Sequence, residues 1–271
     1  IENCIIYHDE YIIVANKPSG VLCVPGVHDN DSLANVVFDH FGSESNRVDQ
    51  MIVHRLDMHT SGLVVFARTE VALKHLHTAF RDRDVRKQYE ALVCGTLISN
   101  FGDVNLPLQR DPNFAPFMRV ATAASQEESD RIIAALEHQG YKKMLRKPPK
   151  ESLTTFQVVG RENYGGQSCT RVRLVPVTGR THQLRVHCAA IGHPIIADPA
   201  YGYMGEAASN GGFPEDVMDK VYPRRADIEL QRLVDEQVQL DEKKLCLHAK
   251  LLCFSHPITG APLTFEAPSP F

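Results

Sequence analysis

The chain has 271 residues, of which 43% are hydrophobic and 23% are charged. It is therefore long enough to bury a large core, in one large or two modest globular domains. No apolar run reaches the length of about 18 residues that suggests a membrane-spanning helix. The formal net charge is −4, which does not indicate a nucleic-acid-binding protein, although a local basic groove is enough to attract phosphates.

The seven cysteines are scattered and lie mostly within apolar segments. A disulfide framework would show paired spacings in a small secreted domain. We therefore expect buried, reduced thiols in a reducing compartment, and no signal peptide in the residues given. That compartment is the cytoplasm if the protein is bacterial, and an organelle or the nucleus if it is eukaryotic.

The first residues predict strands and one capped helix. Residues 5–15 read as two short strands around polar turn residues, and a Pro-Gly turn then leads to a strand-like segment at 21–25. Asp31 or Ser32 is suited to begin a short helix, and Gly42 is suited to end it.

The middle of the chain alternates between strands and helices. Residues 63–67 predict a buried strand, and Thr69 predicts the start of an amphipathic helix. The segment QYEALVCG at 88–95 predicts another strand. Residues 153–159 and 171–177 alternate in polarity as paired strands do.

The end of the chain adds a helix at 182–191 and two strands at 251–257 and 262–268. Strands run throughout and only a few helices separate them. The pattern favours an α+β domain built on a mixed, mostly antiparallel sheet with flanking helices, rather than strict βαβ alternation.

Two segments read as surface insertions in a single domain that spans 1–271. The first covers about 112–150, where Ser125 and Glu128 have the spacing of a capping box. The second covers about 204–243, which is Gly-rich at first and then helical in pattern near 228–238.

The segment His54-Arg55-Leu56-Asp57, followed by Thr60-Ser61-Gly62, is the first candidate site. It presents a carboxylate near positive charge at the end of a strand. A lone Arg-x-Asp is more often a structural ion pair in a loop.

The segment Thr178–His187 is the second candidate site. It places Arg180, His182 and Gln183 at the start of a predicted helix, where backbone N–H groups favour an anion, and Arg185 follows one turn later. A polar helix start with a satisfied core histidine is an equally good interpretation of this segment alone.

The third candidate is Lys87-Gln88-Tyr89-Glu90, at a junction between a helix and a strand. A tyrosine in a strand usually packs in the core or against a neighbouring strand. Tyr89 alone therefore favours a structural interpretation.

Together, however, HRLDMHTSG, RKQYEALVCG and VTGRTHQLRVHCAAIGHPIIADPAYG closely resemble the RluA-type pseudouridine synthases in order, wording and separation. The flanking segments DEYIIVANKPSGVLCVPG and LHAKLLCFSHPITGAPLTFEAP agree. Only the two insertions lie outside the resemblance, which looks closest to the small RluA subgroup. It implies the fold of that family and the isomerisation of specific uridines to pseudouridine in RNA.

The resemblance also implies roles for individual residues. Asp57 matches the catalytic aspartate, Tyr89 the tyrosine that stacks on the uracil and assists removal of its carbon-5 proton, and Arg185 the basic partner of the aspartate. Arg55 matches the arginine that enters the space left by the flipped nucleotide. The expected substrate-binding residues are Arg55, Leu184, Arg180, His182 and Gln183.

The reaction implied has no net oxidation, hydrolysis or group donation, so we expect no cofactor and no metal. The expected partner is RNA, a ribosomal or transfer RNA stem-loop, and we expect a monomer with no membrane or protein partner. Residues 47–87 contain more Lys and Arg than acids, and residues 142–150 contain five basic residues and no acid. The second segment is either a phosphate-binding strip or a solvated loop.

Four other interpretations remain for comparison. A metal hydrolase is disfavoured because the His75/His77 and His182/His187 pairs lack the HExxH pattern. A kinase-like loop is disfavoured because HRLD has no accompanying kinase motifs. A cysteine hydrolase using Cys188 lacks an orienting motif. The strongest rival is an RNA-binding module that has lost its chemistry, and the presence of Asp57, Tyr89 and Arg185 argues against it.

Overall fold

The computed structural model describes residues 4–26, 31–214 and 225–271. The chain divides into two compact units, the first formed by Ile1–Glu90 with Leu247–Phe271 and the second by Ala91–Cys246. No helix among the described residues is long and apolar enough to cross a membrane. That the whole chain acts as a single domain stays a prediction.

The first unit contains a sheet with the strand order β1-β2-β3-β10, and β11 pairs with β10. β3 and β10 run parallel, whereas the β1–β2, β2–β3 and β10–β11 pairs are antiparallel. Its elements are β1 (Ile5–His8), β2 (Ile12–Lys17), α1 (Leu33–Phe41), β3 (Ser61–Ala67), α2 (Glu70–Asp82), the start of β4 (Arg86–Cys94), β10 (Leu247–Ser255) and β11 (Pro262–Glu266).

The central strands of the first unit are buried on both faces. Ile12 and Val14 of β2 belong to one apolar cluster, which includes residues of α2. Ile13 and Ala15 belong to a second cluster, which includes residues of α1. Alternate residues of a strand point to opposite faces. An unbroken apolar run is therefore what a strand between two helices requires.

The helix ends of the first unit follow the sequence. Ser32 accepts a hydrogen bond from the Asn35 N–H at the start of α1, Gly42 ends that helix, and Thr69 caps α2. The predicted strand at 21–25 is wrong, because the backbone there has other partners. The carbonyls of Leu22 and Cys23 accept the first N–H groups of α1.

The second unit contains antiparallel β5–β8 and β8–β9 pairs and a separate β6–β7 hairpin. Apolar side chains of this hairpin pack with those of α5 (Gln183–Ala190) and of the 200–213 segment, and together they form a core cluster of the second unit. The elements are the end of β4, β5 (Phe101–Asn105), β6 (Leu108–Arg110), β7 (Met118–Val120), α3 (Ala123–Ala135), α4 (Gln139–Leu145), β8 (Leu153–Tyr164), β9 (Gln167–Pro176), α5 (Gln183–Ala190) and α6 (Ile228–Leu240).

The helix start predicted at Ser125 is misplaced by one turn. α3 begins after Thr122, whose side chain accepts from the Ser125 N–H, while the Ser125 hydroxyl accepts from the Thr122 N–H. Glu128 instead accepts hydrogen bonds from Asn113 and Arg119. Both 112–150 and 204–243 contain helix, and 215–224 lies outside the described residues. Their status as insertions stays a prediction.

The α+β class and the mixed, mostly antiparallel sheet with flanking helices are confirmed. β4, β8, β9, α5, β10 and β11 all lie where the sequence predicts them, within a few residues at their ends.

Candidate active site

The loop that carries Asp57 is fixed at its start by His54. The His54 Nε2 atom accepts a hydrogen bond of 3.1 Å from the Val65 N–H of β3, and the ring stacks on Phe80 with 4.5 Å between centroids. Burial, with a smaller contribution from the positive charge of Lys87, lowers the pKa of His54 to about 3. The imidazole is therefore neutral at physiological pH and anchors the loop.

A buried lysine holds the other side of this loop. Lys17 is fully buried at the end of β2. Its ammonium donates to the carbonyls of Pro18 at 2.9 Å, Val21 at 2.8 Å and Met58 at 2.8 Å. The residue after Asp57 is thereby tied to the 18–21 turn.

The same turn makes two further bonds to the loop. The Gly20 N–H donates to the Met58 carbonyl at 3.0 Å, and the Ser19 hydroxyl donates to the His59 carbonyl at 2.6 Å. The sequence interpretation did not assign Lys17 a role. A lysine at the end of the otherwise apolar strand IIVAN, directly before a Pro-Ser-Gly turn, was the available signal.

Gly62 lets the chain leave the loop and enter β3. Its φ is +114°, and a Cβ there would lie 2.4 Å from both the N and O atoms of Ala249 in the parallel neighbour β10. The preceding Ser61 hydroxyl lies 2.9 Å from Nδ1 of His248. The His248 Nε2 donates to the Ala267 carbonyl, so Nδ1 accepts from Ser61. The end of the loop is thus fixed to β10.

Asp57 and Tyr89 share one electrostatic environment in the first unit. Asp57 is half-buried in the loop, and Tyr89 is half-buried on β4. Burial, and then the charge of Asp57, raises the pKa of Tyr89 well above its usual value. Burial lowers the pKa of Lys17 to about 8, although the nearby Cys23 and Asp57 oppose that shift. A carboxylate, a neutral phenol and an ammonium therefore lie within electrostatic range of each other.

Arg55 lies on the same loop but is more accessible than Asp57 and Tyr89. It is exposed, whereas the following Leu56 is buried. Across residues 4–26, 31–214 and 225–271, Arg55 makes no hydrogen bond or ion pair. Its guanidinium is therefore presented at the surface beside Asp57.

Arg185 belongs to the second unit and is held by an acid that the sequence interpretation missed. Its Nε and Nη2 atoms donate to the two oxygens of Asp198 at 2.8 and 2.6 Å, and both side chains are buried. Asp198 also accepts from the N–H groups of Ala200 and Tyr201. This bidentate geometry fixes the plane of the guanidinium. The sequence feature that could have indicated Asp198 was the polar ADPAYG turn after α5.

His182 lies at the start of α5 with a left-handed backbone, φ 53°. Its Nδ1 atom lies 2.9 Å from the Tyr201 hydroxyl. That hydroxyl accepts a separate hydrogen bond from the Met118 N–H. The predicted His182 is therefore held beside a tyrosine that itself contacts β7.

Gln183 is buried, and its amide bonds to the chain at both ends. The carbonyl oxygen accepts from the Thr178 hydroxyl and the Arg180 N–H. The NH₂ group donates to the Leu153 carbonyl and the Thr154 hydroxyl. Gln183 thus fixes the turn that precedes α5. Of its predicted neighbours, Arg180 donates to the Glu151 carbonyl and Leu184 is buried.

The arrangement of Cys188 and His187 does not suit a cysteine nucleophile. Burial, with the charge of Asp198, raises the pKa of Cys188 to about 12. His187 is a buried core histidine, bonded through Nδ1 to Thr154 and through Nε2 to the Leu106 carbonyl. No group of three or more His, Cys, Asp or Glu residues suited to a metal ion occurs in the part of the chain that the structure describes.

Sequence comparison identifies relatives of this fold and site. The profile of the family described as RNA pseudouridylate synthase matches residues 11–190. The dual-specificity RNA pseudouridine synthase RluA of Haemophilus influenzae is 35% identical over 98% of this chain and 93% of its own length. The protein of the same name from Escherichia coli K12 is 32% identical, with the same coverage of both chains.

Two solved structures have a similar fold. Human RNA pseudouridylate synthase domain containing 1 superposes with a TM-score of 0.66 at 24% identity, over 99% of this chain and 84% of its own. Human RNA pseudouridylate synthase domain containing 4 gives a TM-score of 0.63 at 22% identity, over 99% and 89%.

Proposed function

We propose that Asp57 initiates the reaction that this protein catalyses. The chain belongs to the RNA pseudouridylate synthase family, and it converts uridine to pseudouridine in RNA. The bond from ribose to uracil nitrogen 1 breaks, the base turns, and carbon 5 bonds to the ribose. Carbon 5 then loses its proton and nitrogen 1 gains one, so that the product is an isomer of the substrate. The observation that carries the proposal is that Asp57, on a loop fixed by Lys17, lies within electrostatic range of Tyr89 on β4.

An ionised carboxylate is needed whether Asp57 attacks the ribose, attacks the uracil ring or removes a ribose proton. Lys17 places a positive charge within electrostatic range of Asp57. Glycosidases use two carboxylates to admit water and release the sugar. One carboxylate is sufficient here, because the base is retained and rejoined.

The pKa of Tyr89 bears on its role. A phenol whose pKa is raised remains neutral at physiological pH, so it is a flat, uncharged ring and a poor proton acceptor. We therefore assign Tyr89 to stacking on the inserted uracil rather than to removal of the carbon-5 proton.

Substitution of Tyr89 distinguishes the two roles. Tyr89→Phe keeps the ring and removes the hydroxyl, whereas Tyr89→Leu removes both. Stacking predicts that the phenylalanine variant keeps most of the single-turnover rate and the leucine variant does not. Equal loss in both variants would assign the hydroxyl an essential part in proton transfer.

Arg55 has the exposure that insertion into RNA requires. The target nucleotide must leave its stack, which costs a few kcal/mol. An exposed guanidinium at the vacated position offsets part of that cost by stacking. We expect Arg55→Ala to lower the rate of turnover more for a target uridine that is base-paired than for one that is unpaired.

The remaining predicted residues divide between positioning and contact. We propose that Gln183, whose amide is bonded within the chain, positions the turn before α5. We propose that Arg180 and His182, at that turn, contact RNA. We propose that Leu184 forms part of the apolar wall of the active site. The pairing of Arg185 with Asp57 stays a prediction, which a double-mutant cycle on the single-turnover rate tests.

The relatives' name suggests two classes of RNA substrate, so we propose both ribosomal and transfer RNA stem-loops as substrates of a monomeric enzyme. The basic residues of 142–150 support a phosphate contact outside the active site. Neutralising Lys142, Lys143, Arg146 and Lys147 should lower RNA affinity and its salt dependence. Unchanged affinity and salt dependence would assign these residues, of which Lys142 and Lys143 lie on α4, to a solvated surface without contact to RNA.

Chemical probing for pseudouridine tests the proposed function directly. Ribosomal and transfer RNA are incubated with wild-type protein or with Asp57→Asn. Sites that appear only with wild type identify both the substrate and the need for the carboxylate. Folded wild-type protein that binds RNA without modifying it would favour the RNA-binding module instead.

A further inference from the structure

Lys87 lies beside the proposed site but takes no part in the mechanism described so far. It precedes Tyr89 by two positions on β4, so the two side chains point to the same face of the strand, with Cα atoms about 6.6 Å apart. Its ammonium lies 5.5 Å from the centroid of the Phe80 ring. That ring stacks on His54, which begins the Asp57 loop.

No acidic side chain of the described residues pairs with the ammonium of Lys87. Within the described ranges it makes no hydrogen bond or ion pair. Other lysines of the first unit are satisfied: Lys17 by three carbonyls, Lys74 by Glu70 and Lys250 by Glu90.

The surroundings of Lys87 penalise its charge. The side chain is half-buried, and burial lowers its pKa. The neighbouring His54 remains neutral and supplies no negative charge. A partly desolvated cation without a partner costs folding free energy unless a ligand supplies the anion. The cation–π contact with Phe80 offsets only part of such a cost.

We propose that the Lys87 ammonium binds a backbone phosphate next to the flipped uridine. The inference rests on the proposed function, because a base stacked on Tyr89 would bring its flanking phosphates close to the face of β4 that carries Lys87. A half-buried ammonium at that position gains a phosphate contact without first losing a protein partner. Lys87 is thus a substrate-positioning residue, while Asp57 performs the chemistry.

The experiment measures RNA binding without turnover, in the Asp57→Asn background. Lys87→Gln is compared with Lys87→Arg, and with Lys74→Gln as the matched control. We expect Lys87→Gln to weaken the Kd for a substrate stem-loop about tenfold and to reduce the slope of log K against log salt by about 0.7–0.9. Lys87→Arg should restore both quantities, and Lys74→Gln should change neither.

Single methylphosphonate substitutions in the RNA then locate the contact. Neutralising the partner phosphate should weaken binding about tenfold with Lys87 present and cause no further loss with Lys87→Gln. Additive losses at every position near the target would overturn the proposal. So would a lower unfolding midpoint with an unchanged salt slope, which would assign Lys87 to packing on Phe80.

The two proposals fail separately. If the enzyme with an intact Asp57 forms no pseudouridine, the proposed function fails whatever Lys87 binds. If that enzyme is active and Lys87→Gln binds RNA with wild-type affinity and salt slope, only the phosphate contact fails.

Discussion

Replacing Lys17 by Met should damage both the stability of the first unit and the chemistry of Asp57. Methionine fills much of the space of the lysine stem but donates no hydrogen bond. Three backbone carbonyls would lose their common donor, including that of Met58, the residue after Asp57. The loop would then hold its carboxylate less firmly.

The expected cost follows from the structure. Three hydrogen bonds from a charged donor contribute about 1.5–3 kcal/mol each. Burial opposes them: the fall in the pKa of Lys17 from 10.5 to about 8 corresponds to about 3.4 kcal/mol, at about 1.36 kcal/mol for each pKa unit. The difference is a net loss of about 1–6 kcal/mol in the free energy of unfolding, with about 3 kcal/mol as the central value.

The assay separates stability from activity. Urea denaturation gives the change in the free energy of unfolding, and single-turnover pseudouridine formation, measured where both proteins are folded, gives the rate. We expect the rate to fall about tenfold or more, since a small misplacement of a catalytic group is costly. Lys74→Met, at an exposed lysine on α2, is the control. A Lys17→Met protein with wild-type stability and rate would refute the assigned role.

Further predictions concern the second half of the loop and the second unit. Gly62→Ala should lower the unfolding midpoint sharply, since its Cβ would overlap Ala249; a wild-type midpoint would contradict the pairing of β3 with β10. Asp198→Ala should cost about 3–5 kcal/mol of stability, because the Arg185 charge remains buried after its partner is removed; denaturation measures the loss, and Asp198→Glu is the conservative comparison. Burial lowers the pKa of His187 to about 4, so the unfolded state binds its proton first and stability should fall as pH drops from about 6.5 towards 4, by about 3 kcal/mol. His187→Gln should flatten that part of the stability profile, and an unchanged profile would argue against a neutral core histidine.

Local signals in the sequence predict most elements of the fold. Ser32, Gly42 and Thr69 mark helix ends because capping depends on residues within one turn. The local sequence at 21–25 favours a strand that the structure does not form. The backbone carbonyls of this segment accept hydrogen bonds from α1 and, at Val21, from Lys17. Strand propensity does not take account of such distant partners.

In the candidate site, too, some residues are recognisable from the local sequence, whereas others depend on partners that are distant in the chain. HRLD and QYE are recognisable because their chemistry is carried by residue type and order. Asp198 and Lys17 were missed because their roles are defined by partners that folding brings close, Arg185 and the Met58 carbonyl. In isolation a buried lysine and a turn aspartate have no distinctive spacing.

The pairing of β3 with β10 has a consequence for synthesis of the protein. Ser61 and His248, bonded across these strands, are separated by 187 positions in the chain. A ribosome therefore releases the Asp57 loop long before it makes the strand against which Gly62 packs. Contacts of such long range slow folding. The nascent chain would have to protect the open edge of β3 throughout the synthesis of residues 91–246, and the loop that carries Asp57 would reach its final geometry only when translation is nearly complete.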